Sequence, residues 1–298
     1  MTMKTAVRVA LMVALLGSWD LLPANGEDYF DESSPCSCGG WDAGFELATL
    51  QWIIPRDPGS IAQSDGVDDM IYVQPRGNYK ASPRVWLSYL NQSGVGFRGR
   101  YFSYDSDSDR LESADDPGEF LQFHVQLRTT DIEMLFHKSG QKWSTLISGG
   151  VRITDFEFQE VRTVPDDDDY YHYDELDRTQ LFEGYGPTLS IEARRHGLWL
   201  TPFANIRGSV MYGDRIGRNN LTGALELDIE PALYTYFEGQ LGLEYTKTVG
   251  SGELFFRTAL ESHYSPLLGT MSETSSDNEE DNMHWGLIGG TFAAGVRF

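Results

Sequence analysis

Hydrophobic and polar residues alternate along much of the chain, and the alternation is clearest between Leu225 and Tyr245. Odd positions there carry apolar side chains such as Leu227 and Leu241, whereas most even positions are acidic, amide or tyrosine. Successive side chains of a β-strand point to opposite faces, while a helix would scatter the two sets around its circumference. The pattern therefore predicts a strand with one apolar and one polar face.

The same two-residue period predicts ten strands, at 44–54, 83–91, 94–104, 119–137, 142–160, 179–195, 198–211, 225–246, 252–265 and 284–298. The connections between them alternate between short and long. An even strand count, short periplasmic turns and long outer loops are typical of bacterial outer-membrane barrels. We expect an all-β, antiparallel transmembrane β-barrel of about 10 strands, within a range of roughly 8–12, with long acidic outer loops.

Two places break the alternation. The apolar residues Val125 and Leu127 are at odd positions, whereas the apolar residues Ile132 and Met134 are at even positions. A second change, from odd to even apolar positions, follows Ile153. One inserted residue would return both groups to a common outward face. The sequence therefore predicts β-bulges near Thr129, Thr130 and Thr154.

The N-terminus has the features of an export signal. Lys4 and Arg8 supply positive charge, an apolar run continues to Leu16, and small residues follow near Ala24. No later stretch has the roughly 20 apolar residues of a membrane helix, so a membrane-spanning form requires a closed barrel. We predict a signal peptide at 1–26, a periplasmic tether at 27–42 with Cys36 and Cys38, and one barrel domain at 43–298.

The C-terminal segment ends in an aromatic residue. Phe292, Val296 and Phe298 fall on one face of the last strand. This terminal pattern resembles the signal that the outer-membrane assembly machinery reads. We therefore expect export to the outer membrane of a Gram-negative-type bacterium, with membrane lipid and the barrel assembly machinery as partners.

Charged residues dominate the face opposite the apolar one. Two interpretations of this face remain open: a charged constriction that selects solutes by sign, and an interior filled by salt bridges, because narrow barrels are filled by side chains. The candidate lumen or pore-lining residues are Arg84, Arg98, Arg100, Arg128, Asp131, Glu133, Arg152, Glu192, Arg194, Arg207, Glu238, Glu244, Arg257, Glu261 and Arg297. Glu157 belongs to the same predicted face.

The composition excludes some partners. The chain carries 23 basic and 45 acidic residues, a formal net charge of -22, which argues against nucleic acid binding. The spacing Asp105-x-Asp107-x-Asp109 imitates a calcium loop, but Arg110 occupies the place of the required glycine. We predict no metal and no cofactor. The aromatic run 170–173 beside an acidic run is either a receptor or glycan contact or part of an aromatic belt.

The histidines do not form a catalytic pattern. His124 and His263 are predicted to point inward, but no nucleophile accompanies them. The Gly-x-Ser-x-Gly, His-Glu-x-x-His and phosphate-loop motifs are absent from the sequence. We predict that the protein is not an enzyme and has no catalytic residues.

Several short phrases carry a family resemblance. They are Gly44-Phe45-Glu46-Leu47, Thr130-Asp131-Ile132-Glu133, Gly149-Gly150-Val151-Arg152, Phe182-Glu183-Gly184-Tyr185-Gly186-Pro187 and Gly242-Leu243-Glu244-Tyr245, followed by the Phe298 terminus. In this order they resemble the Legionella-type major outer membrane protein family. The resemblance implies a pore-forming outer-membrane β-barrel without catalytic residues. Cysteine departs from the family pattern, because it occurs only in the predicted tether.

We therefore interpret the chain as a porin-like passive channel for small solutes. The main alternative is a closed-lumen barrel with a structural or adhesive role at the cell surface. An outer-membrane barrel hydrolase and a soluble exported β-sandwich are the remaining candidates. Periodicity does not fix the oligomeric state.

Overall fold

In a computed structural model of the chain, the structure describes residues 39–53, 77–112, 120–166, 169–196, 199–219, 226–268 and 283–298. The predicted signal peptide and both cysteines lie outside these residues. So do the acidic residues Asp65, Asp68, Asp69, Asp277, Glu279, Glu280 and Asp281. The side chains of the aromatic run 170–173 also lie outside the described part.

Antiparallel strands follow one another along the whole described chain. They are β1 (Gly40–Ile53), β2 (Lys80–Leu90), β3 (Val95–Asp107), β4 (Leu111–Glu112), β5 (Phe120–Ser139), β6 (Trp143–Asp166), β7 (Asp169–Arg195), β8 (Thr201–Asn219), β9 (Glu226–Val249), β10 (Gly252–Leu268) and β11 (Met283–Arg297). The two-residue β4 pairs only with β5. The other ten strands close into a ring, because β1 pairs with β11 and β3 pairs with β5. The prediction of a ten-stranded antiparallel barrel is confirmed.

The strands are longer at their outer ends than the sequence pattern predicted. The range 161–178 was expected to be a long loop, but β6 continues to Asp166 and β7 begins at Asp169. Likewise β8 continues to Asn219, into the predicted loop 212–224. The described residues contain no helix long and apolar enough to cross a membrane.

The predicted β-bulges are wrong. Pairing of β5 with β6 runs without a register shift past Thr129, Thr130 and Thr154. Burial alternates just as steadily, so that Leu127 is buried while Arg128 is exposed. What changes along β5 is the chemistry of the two faces, because apolar side chains pass from the outward face to the inward face.

This inversion follows from the two surroundings of the barrel. Ile132, Met134 and Phe136 lie on the outward face and are mostly exposed, as expected in contact with lipid. Nearer the outer end, the outward face becomes polar and the inward face becomes apolar, as in a water-soluble barrel. The upper limit of the apolar band carries Tyr101, Tyr185 and Tyr212, which lie on one line of paired residues across β3 and β5–β8. Aromatic girdles are typical at membrane interfaces.

Two glycines shape the short turns. Gly94, before β3, has a φ of 79°, and Gly250, between β9 and β10, has a φ of 61°. Left-handed backbone is accessible to glycine at little cost, whereas other residues adopt it rarely. These glycines allow the tight connections at the predicted periplasmic end.

Candidate functional site: the charged lumen

The structure brings most of the predicted lumen residues together on the inner face of the barrel. They are Arg84, Arg98, Arg100, Asp131, Glu133, Arg152, Glu192, Arg194, Arg207, Glu238, Glu244, Arg257, Glu261 and Arg297. Arg128 is the exception: it lies on the outward face and is exposed. Glu157 and His124 also lie on the outward face, against the prediction. The assumed bulge at Thr129–Thr130 misplaced Arg128 and His124 on β5, and the assumed bulge near Thr154 misplaced Glu157 on β6.

Arg152 is the centre of the middle group. Its guanidinium donates two hydrogen bonds to Asp131, of 2.6 and 2.9 Å, and forms an ion pair with Glu238. Both Arg152 and Asp131 have 0% exposed side chains. Arg152 and Asp131 are direct partners in the register of β5 and β6, so the strand pairing itself places the charges together.

Further arginines surround the same carboxylates. Arg207 contacts Glu133 and donates to Asp131 at 3.2 Å, while Arg100 pairs with Glu238. Arg98 donates to Glu133 at 2.8 Å. Each carboxylate in this group therefore lies between at least two guanidinium groups, an arrangement that matches the planar, multiply donating arginine.

A second group surrounds Arg84, which bridges Glu46 and Glu261. Glu261 also contacts Nε2 of His263, and Nδ1 of His263 contacts the hydroxyl of Tyr236. These side chains form a continuous polar chain across the lumen. The histidine, glutamate and tyrosine resemble a catalytic arrangement in composition, but all three are buried among lumen side chains.

The third group lies nearer the end of the barrel with the short turns, the predicted periplasmic end. Glu244 accepts hydrogen bonds from Arg257 and, at 2.9 Å, from Arg297. Arg194 contacts Glu192 and lies 3.5 Å from Glu244. These arginine side chains are 12 to 23% exposed, so this group borders the opening rather than the centre.

Positive and negative charges balance across the three groups. The arginines are Arg84, Arg98, Arg100, Arg152, Arg194, Arg207, Arg257 and Arg297. The carboxylates number the same: Asp42, Glu46, Asp131, Glu133, Glu192, Glu238, Glu244 and Glu261. Because removing an ion from water is costly, buried charges persist only when paired in this way. Counted without the half-exposed Glu253, which lies 3.8 Å from Arg297 at the rim, these described groups are formally neutral, although the whole chain is strongly acidic.

Four buried guanidinium N–H groups lack a partner among the described residues. They are Nε of Arg84, Arg100 and Arg207, and Nη1 of Arg152. Buried polar groups usually bind protein or ordered water. The three groups together are called the charged layer. This layer has N–H donors that are available to water or to a small solute.

An aromatic layer lies on the outer side of the charged layer. Phe156 stacks on Trp285 with 4.7 Å between ring centroids, and Phe182 stacks on Tyr234 at 5.0 Å. The indole nitrogen of Trp285 donates to the hydroxyl of Tyr234 at 3.0 Å. All four side chains are buried. This layer fills the lumen where the barrel wall extends beyond the apolar band.

One set of side chains in the charged layer has the composition of a metal site. Ligand atoms of Glu238, Glu261 and His263 lie within 4.8 Å of one another. However, Glu238 already pairs with Arg100 and Arg152, and Glu261 pairs with Arg84. A divalent cation there would add positive charge beside three guanidinium groups, so the donor set does not fit a metal.

Several lumen residues were missing from the sequence prediction. Glu46 and Asp42 lie on β1 opposite the apolar Phe45, so the alternation contained the signal for them. Tyr236 follows the same alternation on β9. Phe156, the β6 member of the aromatic layer, was missed because the bulge hypothesis near Thr154 placed it on the lipid face.

His196 lies just after β7, at the predicted periplasmic end, and its Nε2 forms a 2.8 Å hydrogen bond with the hydroxyl of Ser144. Partial burial, and then the positive charge of Arg194, lower the pKa of His196 below its ordinary value of 6.5.

No family model and no curated protein matches the chain. Solved structures do match. The outer membrane protease OmpT from Escherichia coli is 7% identical over 87% of this chain and 96% of that chain, with a TM-score of 0.52. Ail, the attachment invasion locus protein of Yersinia pestis, is 11% identical over 88% and 99%, with a TM-score of 0.28. Neisserial surface protein A is 10% identical over 86% and 95%, with a TM-score of 0.29.

The likeness to OmpT concerns the fold, since at such low identity an activity does not transfer with a fold. The closed ring, the outward apolar band and this likeness agree with one another. The chain has the outer-membrane β-barrel fold, which it shares with the protease OmpT.

Proposed function

We propose that the protein is a closed-lumen barrel of the outer membrane with a structural or adhesive role at the cell surface. The observation that carries this proposal is the neutral charged layer, in which every carboxylate of the central groups is held by arginine. A passing solute would have to separate buried ion pairs, and breaking one such pair costs roughly 3–5 kcal/mol.

The aromatic layer supports the same proposal. A solute that crosses the charged layer meets the stacked rings of Phe156, Trp285, Phe182 and Tyr234 next. Apolar constrictions dewet and oppose the passage of ions. Two successive layers of different chemistry thus oppose conduction.

A porin-like channel is the second candidate, and it is what the resemblance to the Legionella-type family implies. The four unpartnered guanidinium N–H groups favour it, because they indicate water within the charged layer. In that case Arg98 and Arg100 would set the ion selectivity.

Catalysis is not part of the proposal. His263 and Glu261 have fully buried side chains, which a peptide substrate does not reach. Membrane lipid and the barrel assembly machinery remain the proposed partners, with Phe292, Val296 and Phe298 on the outward face or end of β11 as the proposed assembly signal.

The test is single-channel recording of the refolded protein in a planar bilayer, after boiled and unboiled samples have shown different gel mobility. A closed lumen predicts insertion without stable conductance steps. Steps whose ion selectivity changes in Arg98→Ala and Arg100→Ala, but not in the outward control Arg128→Ala, would establish the channel instead.

A further inference from the structure

The outward face of the barrel wall beyond the apolar band carries an open depression with a mixed polar and apolar lining. It lies on β3, β5 and β6 and has a volume of about 180 Å³. The lining residues are Asp107, Gln122, Phe123, His124, Gln159 and Val161. Typical sites for drug-sized ligands measure roughly 300–1,000 Å³, so this depression suits a single small ring.

The side chains of this surface offer both donors and acceptors. Nδ1 of His124 lies 2.9 Å from Asp107, and its ring is 26% exposed. The neighbouring Gln126 donates to Asp105 at 3.0 Å. These contacts fix the orientation of the imidazole and of one amide, while Val161 contributes an apolar floor. Sugar hydroxyls, which both donate and accept, are matched by such a set.

Position along β5 places this surface beyond the lipid chains. His124 and Gln122 are eight and ten residues from Ile132, which lies in the apolar band. At about 3.3 Å per residue, this corresponds to about 26–33 Å along the tilted strand. An outward-facing surface at that level meets the head groups of lipids whose acyl chains contact Ile132 and Met134.

The charge of the wall decides which part of a head group fits. Asp105 and Asp107 are 58% and 49% exposed, and Asp155 and Glu157 continue the acidic surface on β6. Among the described residues of this wall the basic ones are Arg128 and Arg110, whose guanidinium lies 4.3 Å from the ring of Phe120, so the acidic side chains outnumber them. Phosphate groups would be repelled, because like charges close together are unfavourable. Neutral hexose units carry no charge and would not be repelled.

We propose that this depression binds a neutral hexose of a membrane-anchored glycolipid head group that surrounds the barrel. The inference deepens the proposed function and rests on its outer-membrane location. A lumen that conducts would leave the glycan surface unaffected, so the two proposals fail separately.

The experiment measures carbethoxylation of His124 by mass spectrometry in refolded protein. The probes are vesicles of phosphatidylcholine with or without a dephosphorylated lipopolysaccharide, and the lipid-free neutral core oligosaccharide in detergent. His196, at the opposite end of the barrel, serves as the internal control. We expect slower modification of His124 only in the glycolipid vesicles, by several-fold, with His196 unchanged.

Gln122→Ala with Gln159→Ala is expected to abolish this protection, whereas Glu183→Ala, on the outward face of β7, leaves it intact. Equal protection by the lipid-free oligosaccharide would identify a soluble glycan as the partner and overturn the membrane source. Absence of protection by both probes in a heat-modifiable barrel would overturn the glycan surface itself.

Discussion

Arg152 and Asp131 face each other across β6 and β5 and join through two hydrogen bonds, with both side chains fully buried. The pair lies where the strand register alone would place it, at the middle of the charged layer. Its burial means that bulk water does not reach either group to replace a lost partner.

Arg152→Met is therefore expected to lower the free energy of unfolding by about 3–5 kcal/mol, because it leaves Asp131 and Glu238 with less positive charge. The measurement is reversible urea unfolding of the barrel in lipid vesicles. Arg128→Met is the matched control, and it should change stability by less than about 0.5 kcal/mol, as exposed substitutions usually do. Equal effects of the two substitutions would contradict the placement of Arg128 outside the lumen.

Substitutions along the outward face of β5 can test how far the lipid bilayer extends along this strand. Met134 is 56% exposed in the middle of the apolar band on β5, whereas Gln126 lies eight residues nearer the outer end on the same face. Arginine near the bilayer midplane costs about 2–4 kcal/mol and close to nothing near the interface.

Met134→Arg should thus destabilise the vesicle-embedded barrel by roughly that amount, while Gln126→Arg leaves it nearly unchanged. The comparison uses the same urea unfolding assay. If both variants lose similar stability, the membrane extends further along β5 than the change of face chemistry indicates.

Because the register of β5 is continuous, two adjacent residues, Leu127 and Arg128, are expected to differ in their accessibility to water. Leu127 is 0% exposed and Arg128 is exposed, whereas a bulge at Thr129–Thr130 would reverse the two. In a Cys36→Ser, Cys38→Ser background, Arg128→Cys should react quickly with a water-soluble maleimide, and Leu127→Cys should react only after unfolding. Fast labelling of Leu127→Cys would contradict the continuous register and support a bulge at Thr129–Thr130.

The sequence predicted the barrel well because its physical cause is local. Lipid outside and charge inside impose a two-residue period that survives in each strand, as on β9 around Leu241 and Glu244. Strand pairing then brings oppositely charged positions together, as with Arg257 and Glu244, which are register partners.

The outer half of the wall was not predicted, because periodicity gives the two faces of a strand but not their surroundings. Phe156 and Phe158 on β6 fit the alternation of a strand whether their shared face is directed to lipid or to the lumen. Closure of the ring shows that both side chains face the lumen. They lie beyond the apolar band, where the outer surface of the wall meets water instead of lipid. The same ambiguity hid the outward surface around His124.

The turn glycines should differ in their sensitivity to substitution. A Cβ on Gly94 would lie 2.4 Å from the carbonyl oxygen of His137, whereas a Cβ on Gly250 would meet nothing within 4 Å. Gly250→Ala then suffers mainly the left-handed backbone penalty, about 1–2 kcal/mol. Gly94→Ala adds a steric clash.

We expect Gly94→Ala to lose clearly more stability than Gly250→Ala in urea unfolding. Gly250→Asn should recover part of the loss, since asparagine tolerates the left-handed region better than alanine. Identical losses for the two alanine variants would mean that the backbone relaxes around Gly94.

The lowered pKa of His196 links stability to pH at the periplasmic end. In the unfolded chain the histidine takes up its proton near pH 6.5, whereas in the folded barrel burial and Arg194 delay that uptake. The unfolded state therefore binds more protons as the pH falls, and the free energy of unfolding decreases. The contribution is fully present above the ordinary histidine pKa and is lost as the pH falls through the folded value.

His196→Gln keeps a polar partner for Ser144 but removes the titration. Urea midpoints of the wild type should fall more steeply than those of the variant between about pH 8 and about pH 5, across the ordinary histidine range. Carboxylates in both proteins contribute an equal background, so the difference between the two curves isolates His196. Parallel curves would show that this imidazole titrates alike in the folded and unfolded chains.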